Sequence, residues 1–165
     1  MKLQRIARLL ERGEDDLTIR GVILDYAQKN KQVLYGSRAF NLQAPTVLRK
    51  KTSDYDLLSK KPRKSASEVA AILRRRLNKE VTVKRATHKG TWKVLIDNEP
   101  KIDYTQLKRK PKTRKVWGLK VKDIGAIKKN VRRLIKKPET KFRREKDMDV
   151  LDRIEKIEMM EAHFN

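Results

Sequence analysis

The stretch Thr52-Ser53-Asp54-Tyr55-Asp56-Leu57-Leu58 limits what this chain can fold into more than any other. Read as a strand, it sends Asp54 and Asp56 to one face and Tyr55 and Leu57 into an apolar layer on the opposite face. Two like charges side by side repel, and a divalent cation is the usual compensation. The strand therefore asks for a packed core behind it and an open, cation-accepting surface in front.

The neighbouring segments supply candidates for that core. Leu3, Ile6, Ala7 and Leu10 fall at helical spacing, with Gly13 suited to end the helix. Ile19, Val22, Ile23 and Tyr26 mark a second amphipathic helix from Thr18, and both helices are expected to cover the sheet. Gln32 to Tyr35 reads as the first strand, ending in Gly36-Ser37-Arg38. The polar run from Arg38 to Thr52, with Pro45, reads as a long loop joining the two strands. Lys60 to Lys64 is a basic turn. Ser65-Ala66-Ser67-Glu68 then has the capping-box pattern, opening a helix with Ala66, Val69, Ala70, Leu73 and Leu77 on one face. Val81-Thr82-Val83 and Trp92 to Ile96 alternate as strands around a His88-Lys89-Gly90 turn, and Asp97-Asn98-Glu99-Pro100 turns into a further strand bearing Asp103. The order predicts an α/β (α+β) fold, a mixed sheet with flanking helices, over residues 1–107.

Residues 108–165 change character and are expected to form a basic helical extension ending in an acidic helix. Of the 44 basic and 21 acidic residues that give a net +23, 18 bases and three acids lie between Lys108 and Lys146. The sign reverses from Asp147 onward. Such charge implies a polyanionic partner, and nucleic acid fits best. No apolar run is long enough for a bilayer, and no signal peptide is visible, so no membrane role is expected. The absence of cysteine fits an intracellular setting, cytoplasmic or nuclear. Within the extension, Lys108 to Lys115 reads as a solvated linker or nucleic-acid contact. Asp123 is placed to cap a helix with Ile124, Ile127, Val131 and Leu134, stopped by Pro138, and a last helix runs from about Arg144 to Met160. The candidate nucleic-acid contacts are Lys108, Arg109, Lys110, Lys112, Arg114, Lys115, Lys128, Lys129, Arg132 and Arg133, which would give salt-sensitive, sequence-independent affinity. Trp117 is a candidate for base stacking, whereas Trp92, in an alternating strand, reads as core.

Gly36-Ser37 at the end of one strand followed by Asp54-Tyr55-Asp56 on the next resembles the nucleotidyltransferase superfamily, which includes DNA polymerase beta, poly(A) polymerases and CCA-adding enzymes. Residues 18–107 carry the resemblance, and Arg144-Glu145-Lys146-Asp147 is similar to a stretch found in helices after the core of several members. It implies a third carboxylate on a later strand. Asp103 supplies it, flanked by Ile102 and Tyr104 on the opposite face, in preference to Asp97, whose turn gives it a local role. It also implies a magnesium- or manganese-dependent transfer of a nucleoside monophosphate from a nucleoside triphosphate, ATP among the candidates, to a 3′ hydroxyl. RNA is favoured over DNA as acceptor and no template is expected. Asp54, Asp56 and Asp103 would be the catalytic metal ligands, with Gly36, Ser37 and Arg38 at the nucleotide. The segment leaves no room for a large base-recognition domain, so base choice is expected to be relaxed or to come from a partner subunit. A viral origin would fit so small an enzyme. The competing reading is a noncatalytic nucleic-acid-binding subunit on the same fold.

Overall fold

The computed structural model describes the backbone of residues 2–164 and the side chains of residues 13–164. Helix α1 (Lys2–Lys29) is continuous where two helices were expected. Gly13 meets nothing that would stop a helix, and it has no left-handed backbone to end one. The stripe expected at Leu3, Ile6, Ala7 and Leu10 lies outside the described side chains. Further along, Ile19, Val22 and Ile23 are buried, as their spacing predicts, Tyr26 is half-buried, and Ala27 joins the buried stripe.

Strand β1 (Val33–Tyr35) passes through Gly36 directly into helix α2 (Gly36–Gln43), where the sequence reading has only a loop. Two apolar residues, Ala39 and Phe40, anchor this short helix in the core, too few to give a visible period. It ends before Ala44-Pro45, because the residue ahead of a proline avoids the helical region, and a single 3₁₀ turn follows at Thr46–Leu48. Strand β2 (Tyr55–Ser59) leads into helix α3 (Pro62–Arg76), which begins with Pro62 three residues before the expected capping box. Ser65 is buried and engages Gln32 and Ser59 rather than the helix end. The predicted apolar face of α3 is buried from Ala66 to Leu77.

Strands β3 (Val81–Arg85), β4 (Thr91–Ile96) and β5 (Glu99–Gln106) form the expected meander. Asp97 and Asn98 make the β4–β5 turn with φ of 50° and 65°, the left-handed pair of a tight hairpin turn. Beyond Leu107 the structure departs from the expected linker: β6 (Thr113–Val116) and β7 (Leu119–Lys122) form a hairpin, and β7 pairs with β1. The helical part starts only at α4 (Ile124–Ile135), capped by the Asp123 carboxylate, which accepts from the Gly125 amide at 2.9 Å. Helix α5 (Arg144–Phe164) follows a 3₁₀ segment from Pro138.

The seven strands form one mixed sheet in the order β3-β4-β5-β2-β1-β7-β6, with β2 parallel to β5 and β1 parallel to β7. Hydrogen bonding therefore runs unbroken across the 107/108 boundary. Helices α1 and α3 pack on one face, meeting the inward side chains Leu34, Leu57, Ile102 and Tyr104. Helix α2 packs against β1, β2, β7 and α4, and α4 packs against α5.

Candidate active site

The alternation of β2 is realised: Tyr55 and Leu57 are buried in the core, while Asp54 and Asp56 turn to the other face. Asp56 stands at the centre of the sheet. Its Cα is in register with Tyr35 of β1 on one side and with Asp103 of β5 on the other. Asp54 lies just before β2, exposed, and accepts a hydrogen bond from Ser53 Oγ at 2.8 Å. The strand pairing thus brings the three predicted acids to one end and one face of the sheet.

Crowding has an electrostatic consequence. Burial pushes the Asp56 carboxyl up to about 6, and the neighbouring Asp103 and Asp54 add to this, against relief from Lys146 and Lys93. Asp103 has its own countercharge, because Lys93 Nζ donates to both of its oxygens at 2.7 and 2.9 Å. Tyr35 donates to or accepts from Thr105 Oγ1 at 3.0 Å, and Thr105 meets Thr91 Oγ1 at 2.9 Å, a hydroxyl chain beside the acids.

Gly36 holds this site together from the junction of β1 and α2. Its φ is +70°, and a Cβ there would overlap the Asp56 carboxylate oxygen and lie 3.1 Å from Cγ. Only glycine lets the chain pass so close to the acid while turning into α2. Ser37, the next residue, lines a cleft of about 700 Å³ together with Asp54 and Asp56. Arg38 does not reach that cleft. It donates to the carbonyls of Asp54 at 2.8 Å and Thr52 at 3.1 Å and stacks 3.7 Å over the Tyr55 ring, on the core side of β2. Of the three expected nucleotide contacts, Gly36 and Ser37 face the acids and Arg38 clamps the loop from behind.

The far wall of the cleft comes from residues that the sequence reading did not select. Lys50 and Lys51 enter from the segment before β2, and Glu145, Lys146, Asp149 and Arg153 enter from α5. Lys50 pairs with Asp149 at 2.6 Å, and Arg153 braces the same carboxylate at 3.1 Å. Asp147 is fully buried and held by Arg143 Nε and Nη2 at 2.9 Å, which fixes the start of α5. The Arg-x-Lys-Asp echo was the available signal for Lys146, whereas nothing local marked Lys93.

The expected nucleic-acid residues divide. Lys108, Arg109, Lys110, Lys112, Arg114 and Lys115 are exposed along the β5–β6 connection and the outermost strand, and Lys129, Arg132 and Arg133 are exposed on α4. Lys128 is instead mostly covered and donates to both oxygens of Glu158 at 2.6 and 2.7 Å, so its charge is committed within the protein. Trp92 is half-buried under Arg63, and Trp117 stands exposed at the β6–β7 turn. Asp97 serves not its own turn, as expected, but the approach to β3, accepting from the Glu80 amide 17 residues away at 3.1 Å.

The donors suit magnesium or manganese in kind: hard carboxylate oxygens whose mutual repulsion a cation would relieve. Among the described residues no three acidic groups converge closely enough to hold one ion as they stand. Lys93 already occupies the cation side of Asp103.

The poly(A) polymerase catalytic subunit family model matches residues 21–135, well over half of the chain. The chain belongs to this family. The match takes in Gly36, Ser37, Asp54, Asp56 and Asp103 and ends before α5. The nucleotidyltransferase resemblance and the mixed α/β sheet are thereby borne out. Among solved structures, the Megavirus polyadenylate synthase is similar in fold, with a TM-score of 0.74 at 20% identity over 94% of this chain and 36% of that one. The chain thus spans little more than a third of that protein's length. No curated protein matches the chain. Among the described residues no helix is long and apolar enough to cross a membrane.

Proposed function

We propose that this chain carries the catalytic centre of a template-independent RNA 3′-adenylyltransferase, using ATP and magnesium or manganese. The observation that carries the reading is the in-register pair Asp56–Asp103 set against the Gly36 backbone, with Asp54 and Asp56 open to a cleft. Asp54, Asp56 and Asp103 would hold the ions. Bound divalent ions acidify the attacking hydroxyl and stabilise the leaving oxygens of the triphosphate. The Gly36-Ser37 turn brings amide and hydroxyl donors to the cleft wall, where they can orient phosphate oxygens. Lys50, Lys51 and Lys146 bring positive charge to the cleft, and Lys146 already acts on Asp56. The exposed bases from Lys108 to Lys115 would attract the RNA strand without reading its sequence.

The test is extension of labelled single-stranded RNA and DNA primers with each nucleoside triphosphate and either metal, comparing the protein with Asp54→Ala/Asp56→Ala. Addition of adenylate to RNA, lost in the double variant while RNA binding persists, is the expected result. The Lys93–Asp103 ion pair favours one other reading, a noncatalytic RNA-binding subunit. Tight RNA binding without extension under either metal would establish that reading instead.

A further inference from the structure

We infer that the core side of the sheet carries a second nucleotide site, separate from the carboxylate cleft, which takes one base and its phosphate and bears on the catalytic loop from behind. The site is a cleft of about 130 Å³ between α1, α2 and the β6–β7 hairpin. Leu24, Leu34, Leu42 and Leu119 form its floor, and Leu34 is in register with Leu57, which fixes the cleft on the face away from Asp54 and Asp56.

Three observations identify the occupant. The first is Trp117 at the mouth, 81% exposed. The hairpin turn presents it with φ of 49°, and Gly118 follows with φ of 80°. The left-handed backbone at both residues sets the turn, and the Gln28 side chain of α1 reaches up to Gly118 beside the tryptophan. A fixed, solvent-facing indole beside an apolar hollow is a stacking platform, and it costs hydration free energy until a ring covers it. The second is size: the volume is on the scale of the roughly 150 Å³ cavity that accepts benzene, so it suits a single ring system and not a helix. The third is charge. Arg20 and Arg38 both line the wall, and among the described residues neither forms an ion pair. Burial lowers the Arg38 pKa and Arg20 lowers it further, against opposing effects from Tyr55, Asp54 and Asp16. An anion between the two guanidiniums removes that repulsion: Arg38 keeps Nη1 for it, its Nε and Nη2 being held by the Asp54 and Thr52 carbonyls, and Arg20 supplies the second guanidinium. A flat ring joined to a phosphate is a nucleotide. Arg114 and Lys115 next to the turn would carry a longer strand onward.

The site has a route to catalysis. Arg38 holds the carbonyls of Thr52 and Asp54, so a phosphate drawn to Arg38 loads the segment that carries the first catalytic acid. The nucleotide could be free or part of an RNA strand, and the two sources separate experimentally.

The experiment uses the full chain with fluorinated tryptophan, whose two ¹⁹F signals are assigned with Trp117→Phe, in the Asp54→Ala/Asp56→Ala background with EDTA so that the front cleft holds no metal. The chain is titrated with AMP and, separately, with a short oligoadenylate. A saturable shift of the Trp117 signal alone is expected, weakened roughly tenfold or more in Trp117→Ala by direct binding and several-fold in Arg20→Ala. Arg114→Ala/Lys115→Ala weakening only the oligonucleotide arm identifies RNA as the source; equal behaviour of both arms identifies a free nucleotide. No shift with either ligand, a shift indifferent to Arg20→Ala, or a Trp117 signal that moves only with protein concentration would overturn the site. The last outcome would mean that a protein surface covers it. This inference leans on the proposed transferase only for its consequence: a shift without primer extension leaves the site and removes the transferase, whereas extension without a shift does the reverse.

Discussion

Along β2 and the residue before it, Tyr55 and Leu57 enter an apolar layer, while Asp54 and Asp56, one residue away in each case, face an open cleft. The neighbouring strand repeats the division, with Ile102 and Tyr104 fully buried on one side and Asp103 on the other. The two faces obey different rules. Behind the strands the apolar side chains gain by leaving water, enough to carry the buried Tyr104 hydroxyl, which finds no partner among the described residues. In front, the same pairing geometry partly buries Asp56 and sets other carboxylates beside it, and burial first and those neighbours second raise its pKa, a cost to the charged form. The packed face holds strands rigid enough to impose that cost, and the open face keeps it available for a cation.

The largest separation between the faces should appear in stability. Leu57→Ala on the closed face is expected to cost about 2–5 kcal/mol, read as a fall in thermal midpoint, while leaving any surviving metal affinity intact. Asp56→Asn on the open face should abolish metal binding without lowering the midpoint at neutral pH. A loss of stability in Asp56→Asn as large as that in Leu57→Ala would erase the distinction.

The next effect depends on pH. The folded pKa of Asp56, about 6, lies above its unfolded value near 3.9, so the folded state binds this proton more tightly. The corresponding stabilisation is fully present below about pH 4, is lost as pH rises to about 6, and stays lost above. Comparing denaturant unfolding of the wild type with Asp56→Asn across that range should show a difference on the order of 2–3 kcal/mol that builds up with pH. A flat difference would mean that Asp56 is not crowded.

Gly36 joins the two faces, since it opens α2 directly after β1 and presses on Asp56. Gly36→Ala should cost about 1–3 kcal/mol through its left-handed backbone alone, and should also displace the acid and reduce activity. Full activity in this variant would show that Asp56 need not stand where it does. The smallest effect is expected at Lys128. Because it is paired with Glu158, Lys128→Ala should leave the salt dependence of RNA binding unchanged, whereas removing Arg114 and Lys115 should reduce the log–log slope by about one for each lost phosphate contact.

The faces were also unequally legible. Period-two alternation around Asp54, Asp56 and Asp103 displays their common face in the sequence, and the Asp123 cap is equally local. The Lys93–Asp103 pair was hidden because a register shift intervenes. Leu95 pairs with Pro100, and continuing that register would set Asp103 opposite Trp92; the irregularity between Val94 and Leu95 brings Lys93 there instead. Pro100 offers no amide to the ladder, and such positions tolerate bulges. The β6–β7 hairpin escaped because its strands are short and basic, and only β1 beside them supplies the reason to be a strand. Helix α2 reads as a loop in the sequence because its only buried residues are Ala39 and Phe40.

The central claim is that the three acids act together as a cation site that Lys93 partly neutralises. Manganese binding, followed by electron paramagnetic resonance with and without ATP, tests it most directly. The account predicts ATP-enhanced binding in the wild type, tighter binding without nucleotide in Lys93→Met, and loss of binding in Asp56→Asn and Asp103→Asn. Manganese affinity unchanged across all four proteins would contradict it.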